Sequence, residues 1–235
     1  MVINLKFPVI ETKQETHDVK SIKLDFDENK FDYKSGQYMI VELETGDEEN
    51  THPLSIASSP SEDFLLFSTK ASQSSFKQKF NSLKVGDKVK MKGPMGIFVL
   101  KEDAKEVVLL GGGIGITPFR NMIKYSCDKK LPIKLTLLYS NKTPDDIVYK
   151  DEWAVFEGQN PNLKVVNTVT DYQGADWKGK TGRINEEMIR EFCNDINNTI
   201  FYICGPPGMV DALSNLLKTM NIPQQNIKVE KFVGY

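Results

Sequence analysis

The residues best placed to do chemistry fall in a few short stretches. The first is Val107-Val108-Leu109-Leu110-Gly111-Gly112-Gly113-Ile114-Gly115-Ile116-Thr117-Pro118. Four apolar, partly β-branched residues predict a buried strand. Gly111, Gly113 and Gly115 then allow a tight turn and keep side chains away from anything lying on it. Thr117 can cap the helix that follows, and Pro118 suits its first position, which needs no N–H donor. Strand, glycine turn and helix N-terminus together make a site for a pyrophosphate. A tight strand–helix turn with no ligand uses the same residues. The second stretch is His52-Pro53-Leu54-Ser55-Ile56-Ala57-Ser58-Ser59, with polar residues inside a strand-like run. The third is Ser72-Gln73-Ser74-Ser75-Phe76, ahead of a short amphipathic helix through Phe80 and Leu83. Its hydroxyls can cap that helix, or hold a phosphate at the same N–H groups.

The elements that must position these stretches divide the chain in two. Up to about residue 100 the pattern is β. Ile22, Leu24 and Phe26 alternate with Lys23 and Asp25, Tyr38 and Ile40 face opposite to Met39, Val41 and Leu43, Phe64 to Thr69 is another strand, and Val89 and Met91 alternate with Lys88, Lys90 and Lys92. Turn signals at Ser35-Gly36, Thr45-Gly46-Asp47, Val85-Gly86-Asp87 and Gly93-Pro94 separate them, which predicts a small antiparallel barrel. From Glu106 strands and helices alternate. Strands are expected at Val107–Leu110, Ile133–Tyr139, Leu163–Thr168, Ile200–Cys204 and Ile227–Phe232, and helices at Pro118–Cys127, Lys150–Phe156, Glu186–Phe192 and Pro207–Met220. Such alternation predicts a parallel sheet covered on both faces, with ligands at the carboxyl ends of its strands. The expected domains are 1–102 and 103–235. A second glycine turn, Gly205-Pro206-Pro207-Gly208, follows Cys204, so both turns should aim a helix N-terminus at one crevice.

Composition limits the function classes. The chain has 235 residues, 40% hydrophobic and 26% charged, enough for a full core, and a net charge of −2 that gives no global reason to expect nucleic acid. No apolar run is long enough to span a bilayer, and Met1 to Pro8 lacks the apolar region and cleavage site of a signal peptide. Cys127, Cys193 and Cys204 lie too far apart for a local metal cluster and point to a reducing, cytoplasmic setting.

In this order the motifs resemble the ferredoxin–NADP reductase family: an antiparallel FAD-binding barrel followed by an α/β pyridine-nucleotide domain. The resemblance rests on Ser35-Gly36-Gln37-Tyr38, His52 to Ser55, Gly93-Pro94-Met95-Gly96-Ile97-Phe98, Gly111 to Pro118, Trp177 to Gly182, Cys204-Gly205-Pro206-Pro207-Gly208-Met209 and Glu230-Lys231-Phe232. It implies FAD, and NADH or NADPH, as cofactors. It also implies roles. Ser55 lies near flavin N5, and His52, Pro53 and Leu54 complete its motif. Ser74 contacts the flavin pyrophosphate, and backbone at Thr69 and Lys70 holds the ribityl chain. Thr117 and the glycines take the dinucleotide. Cys204 with Gly205 and Pro206, and Glu230, stand beside the nicotinamide. Phe232, or Tyr235 in its place, covers the flavin. The family usually has Arg and Tyr where this chain has His52 and Leu54. His offers at most two donors and no fixed charge, so FAD should be held loosely.

The implied function is an NAD(P)H oxidoreductase that moves a hydride from nicotinamide to flavin and electrons on to a separate carrier such as an acidic ferredoxin. A flavin reductase that releases reduced flavin, and a non-catalytic dinucleotide-binding module, stand as alternatives. The loop Tyr139 to Asp146 holds Lys142 against Asp145 and Asp146, which favours NADH. Lys77, Lys79, Lys84, Lys88, Lys90 and Lys92 form either a solvated face or a docking surface for the carrier.

Overall fold

The computed structural model describes residues 3–232 apart from positions 47, 49 and 173. Tyr235 lies outside the described residues. The first half forms strands β1 (Ile3–Thr16), β2 (Val19–Asp25), β3 (Tyr38–Glu42), β4 (Thr51–Ser55), β5 (Phe64–Lys70) and β6 (Lys88–Met95), with helix α1 (Ser75–Ser82) between the last two. They build one antiparallel sheet in the order β4-β3-β6-β1-β2-β5. Beyond β4, the Ala57 N–H donates to the Leu66 carbonyl at 2.8 Å, so the two edges meet and the sheet curls toward a barrel. Its interior is the alternating apolar set: Ile22 and Leu24 from β2, Met39 and Val41 from β3, Val89 and Met91 from β6. Phe76 and Phe80 close it from α1, and each buried ring contributes about 2–3 kcal/mol.

The second half adds β7 (Glu106–Gly112), β8 (Lys134–Asn141), β9 (Leu163–Val169), β10 (Lys180–Thr181), β11 (Ile200–Gly205) and β12 (Ile227–Lys231). These make a parallel sheet in the order β10-β9-β8-β7-β11-β12. Helices α2 (Thr117–Lys129) and α3 (Lys150–Gln159) cover one face, α4 (Glu186–Phe192) and α5 (Pro207–Thr219) the other. Neighbouring residues of β8 serve opposite cores: Leu137 packs with Phe119 and Trp153, and Leu138 with Val210 and Leu213. That two-sided burial is why these strands read as continuous apolar runs. The chain runs from β7 outward to β10, then returns to place β11 on the other side of β7. The order therefore reverses between β7 and β11, where a ligand crevice opens at the carboxyl ends of the strands. The α2 face of this sheet also packs on Val19, Ala57, Leu66 and Phe98 of the barrel. Among the described residues no helix is long and apolar enough to cross a membrane.

Candidate active site

A cavity of about 550 Å³ lies where the two halves meet. His52, Pro53, Leu54 and Ser55 of β4 form one wall, and Val229, Glu230 and Lys231 of β12 with Phe232 form another. β4 is the edge strand of its sheet, and four of its five residues line this space. Ser55 Oγ donates to Glu230 Oε1 at 3.4 Å, a contact between residues 175 apart in sequence. Burial pushes the Glu230 carboxyl up to about 7, and the Ser55 hydrogen bond only partly opposes the rise. Glu230 is the register partner of Cys204, which in turn lies beside Gly111 of β7. The Cys204 thiol is fully buried and burial holds it well above the usual thiol range, so it is a small core residue and no nucleophile. The Phe232 N–H donates to the Gly205 carbonyl at 3.0 Å, and its ring packs on the core while lining the cavity.

The residues present fit a flavin. The Thr69 hydroxyl is buried without a hydrogen-bond partner, next in the chain to Ser68 of the cavity wall. Gly96, at φ +101, brings backbone to the cavity where a Cβ would meet the Tyr38 ring at 3.0 Å. Ser74 caps α1, its Oγ accepting from the Lys77 N–H at 3.3 Å, and His52 stands over Phe76 of the same helix with ring centres 5.3 Å apart. Ser74 and His52 thus share one end of α1. The Lys70 ammonium pairs with Asp18 at 2.8 Å and lines a second cavity, on the dinucleotide side.

That second cavity, about 220 Å³, is bounded by Gly112, Gly113, Ser140, Asn141, Lys142 and Pro206. Gly113 takes φ +51, and a Cβ there would meet nothing within 4 Å, so its backbone is open to a ligand. Gly115 does something else. A Cβ there would stand 2.5 Å from Gly205 Cα and 2.6 Å from the Cys204 carbonyl oxygen, so this glycine lets the two turns touch. Thr117 does not cap α2. A 3-10 turn over Gly113–Ile116 leads directly into the helix, the N-cap position falls to Ile116 with helical backbone, and Thr117 Oγ1 donates to the Ile114 carbonyl at 3.2 Å. Pro118 consequently occupies the second helical position. Thr117 still faces the first cavity, and Pro206 directly precedes α5.

Several lining residues had no weight in the sequence reading. Tyr38, Gly96, Ile97 and Phe98 belong to the quoted motifs, but nothing in their spacing marks them as walls. Ser68, held by Ser21 at 2.6 Å and Tyr149 at 2.5 Å, carries no local signal at all. Arg183 joins Ser140 and Gly208 around a further space of about 430 Å³, brought there only by the sheet order.

Comparison with known proteins agrees with this geometry. The oxidoreductase FAD-binding domain matches residues 6–100 and the oxidoreductase NAD-binding domain residues 109–215. A component of the Na(+)-translocating NADH-quinone reductase of Idiomarina loihiensis is 32% identical over 184 residues, covering 76% of this chain and 44% of that one. An NADH-cytochrome b5 reductase-like protein of Arabidopsis thaliana is 37% identical over 142 residues, covering 58% and 42%. The chain thus spans less than half the length of these curated relatives. Among solved structures, the ferredoxin reductase in carbazole 1,9a-dioxygenase superposes with a TM-score of 0.84 at 26% identity, covering 98% of this chain and 70% of that one. A barrel with an FAD-binding domain signature, followed by a parallel sheet with an NAD-binding one, places this chain in the ferredoxin–NADP reductase family of flavin-dependent NAD(P)H oxidoreductases.

Proposed function

We propose that this chain takes a hydride from NADH onto FAD held at Ser55 and delivers the electrons to a separate acceptor. The observation that carries the reading is the meeting of Ser55 and Glu230, one from each sheet, in a single cavity. FAD bound there supplies the redox chemistry, accepting two electrons together and releasing them singly or in pairs. The protein's own residues do the rest. Ser55 and Glu230 hold a proton at the cavity wall, and backbone at Thr69 and Lys70 and the β4 edge supply polar contacts. Ser74 and His52, at the start of α1, face the pyrophosphate. Gly113 lets the dinucleotide approach the backbone, Cys204 leaves room beside it, and Phe232 covers the cavity. The flavin half is residues 1–102 and the dinucleotide half 103–235.

NADH is favoured over NADPH. Asp18 and Asp146 balance Lys70 and Lys142 on the wall of the second cavity, so no net positive charge is there to hold a 2′-phosphate. The relatives named above are described as NADH enzymes, which supports the same choice. The purified protein should show a flavin spectrum with about one FAD per chain, and a higher kcat/KM with NADH. No flavin bound under any condition, or a preference for NADPH, contradicts the respective statement. His52 supports a second reading, a flavin reductase that lets its flavin go. Arg in its place offers a charged fork, so His52→Arg should lower the FAD dissociation constant roughly tenfold. Equal affinities in the two proteins would show that position 52 does not hold the pyrophosphate.

The acceptor is a separate carrier, and an acidic one fits the basic face of β6. Lys88 and Lys92 are exposed there, and Lys90 pairs with Glu42 at 2.9 Å. Lys77 does not belong to that face: it is a buried residue of α1. At 3.3 Å per residue, Lys92 lies about 13 Å along the chain from Gly96 at the cavity, and Lys88 about 26 Å. Lys92→Gln should therefore slow electron delivery to an acidic ferredoxin more than Lys88→Gln, with the difference fading toward 1 M salt. Equal rates for both variants and wild type at low salt would remove this face from the docking surface.

A further inference from the structure

One side chain ties the two halves of the molecule together more fully than any other among the described residues. Arg120, on the first turns of α2, is buried, and each of its three nitrogens donates a hydrogen bond. Nε donates to Glu152 Oε2 at 2.9 Å, Nη1 to the Ala57 carbonyl at 2.9 Å and to Glu62 Oε2 at 3.0 Å, and Nη2 reaches Glu152 Oε2 at 2.6 Å and Glu62 Oε1 at 3.2 Å. Its guanidinium lies over Tyr149 and Phe156, 5.5 and 5.9 Å from the ring centres. The next residue, Asn121, donates from Nδ2 to the Ile56 carbonyl at 2.9 Å. Ile56 and Ala57 are the residues directly after Ser55. Arg120 lies one helical turn, about 5 Å, beyond Thr117 and the glycine turn. The path from the dinucleotide turn to the flavin motif is thus one turn of helix and two hydrogen bonds, although the residues at its ends lie about 60 apart in sequence.

We propose that Arg120 and Asn121 are positioning residues for hydride transfer: they fix the strand end that carries Ser55 against the helix that starts at the glycine turn, and so set where the nicotinamide meets the flavin. This rests on the function proposed above. A buried ion pair is a poor device for stability alone, since apolar residues of equal volume commonly do as well. A guanidinium whose three nitrogens all donate, and which also lies over two aromatic rings, is held to a narrow range of geometries, which is what a reaction sensitive to about 1 Å requires.

The test compares wild type, Arg120→Met, Arg120→Lys and Asn121→Ala. In the FAD-loaded proteins, the rate constant of flavin reduction at saturating NADH should fall 10- to 100-fold in Arg120→Met and less in Arg120→Lys. The FAD dissociation constant should stay within threefold of wild type. In the flavin-free proteins, amide hydrogens of the segment 52–58 should exchange faster in Arg120→Met and Asn121→Ala. A folded, FAD-loaded Arg120→Met that is reduced at the wild-type rate overturns the proposal. If Arg120→Met fails to fold, Asn121→Ala decides, because it removes a single hydrogen bond: an unchanged rate and unchanged exchange overturn the proposal equally. Should wild type itself bind no FAD or take no hydride, it is the function reading that fails.

Discussion

Gly115→Ala is expected to lose hydride transfer by about 100-fold and stability by about 3 kcal/mol. The added Cβ would meet Gly205 Cα at 2.5 Å and the Cys204 carbonyl oxygen at 2.6 Å, and both are backbone atoms on the neighbouring strand end. No side chain can swing aside. The two turns must separate by about 1 Å to restore ordinary contact. They carry the starts of α2 and α5, so the separation displaces both walls of the dinucleotide crevice at once. Gly113→Ala is the control. Its Cβ would meet nothing within 4 Å, and its φ of +51 costs an L-residue about 1 kcal/mol. It should raise the KM for NADH by crowding the ligand, while thermal unfolding shifts by only a few degrees. Thermal melts and single-turnover reduction of the two variants separate these effects. If Gly115→Ala reduces its flavin at the wild-type rate, the contact between the turns does not set the site.

The α/β half was legible because its signals are local. A strand buried on both faces is a run of apolar residues, and a glycine turn interrupts it visibly, so the expected strands and helices all appear, the largest difference being α3, which runs past Phe156 to Gln159. The longest strand, β1, gave no such signal, since Pro8 interrupts its alternation. In the structure Pro8 ends the ladder with β6, and from Val9 onward β1 pairs with β2. A residue without an N–H is tolerated where a strand changes partners. Ser74 was readable as a cap because capping is decided within three residues. Thr117 was misread for a related reason: the preceding 3-10 turn, which removes the extended N-cap geometry, has no residue pattern of its own. Ser68 and Arg120 were silent because their partners lie between 32 and 81 residues away, a relation that only the folded topology creates.

Glu230→Gln should abolish a pH dependence that wild type shows between about 4.5 and 7. Burial raises this carboxyl to about 7 against an ordinary value of 4.5. An acid raised on folding favours its protonated form in the native state. Its contribution is complete below 4.5 and is lost as pH climbs through 7, where a buried carboxylate must ionise. At 1.36 kcal/mol per pKa unit the loss amounts to about 3 kcal/mol. Wild type and Glu230→Gln should therefore unfold alike near pH 5, and the variant should be the more stable at pH 8, each difference read from urea denaturation of the flavin-free protein. The same titration changes what Ser55 can do. When Glu230 is ionised, the Ser55 hydroxyl donates to it. When Glu230 is protonated, it can donate to Ser55 Oγ, and the Ser55 proton turns toward the cavity. Flavin reduction by NADH should accordingly be faster below pH 7 than above it in wild type and level in Glu230→Gln, whose amide does not titrate. A wild-type rate that is flat from pH 5.5 to 8.5, with a stability difference that does not change sign or size over the same range, would show that Glu230 is not the group that titrates at this wall.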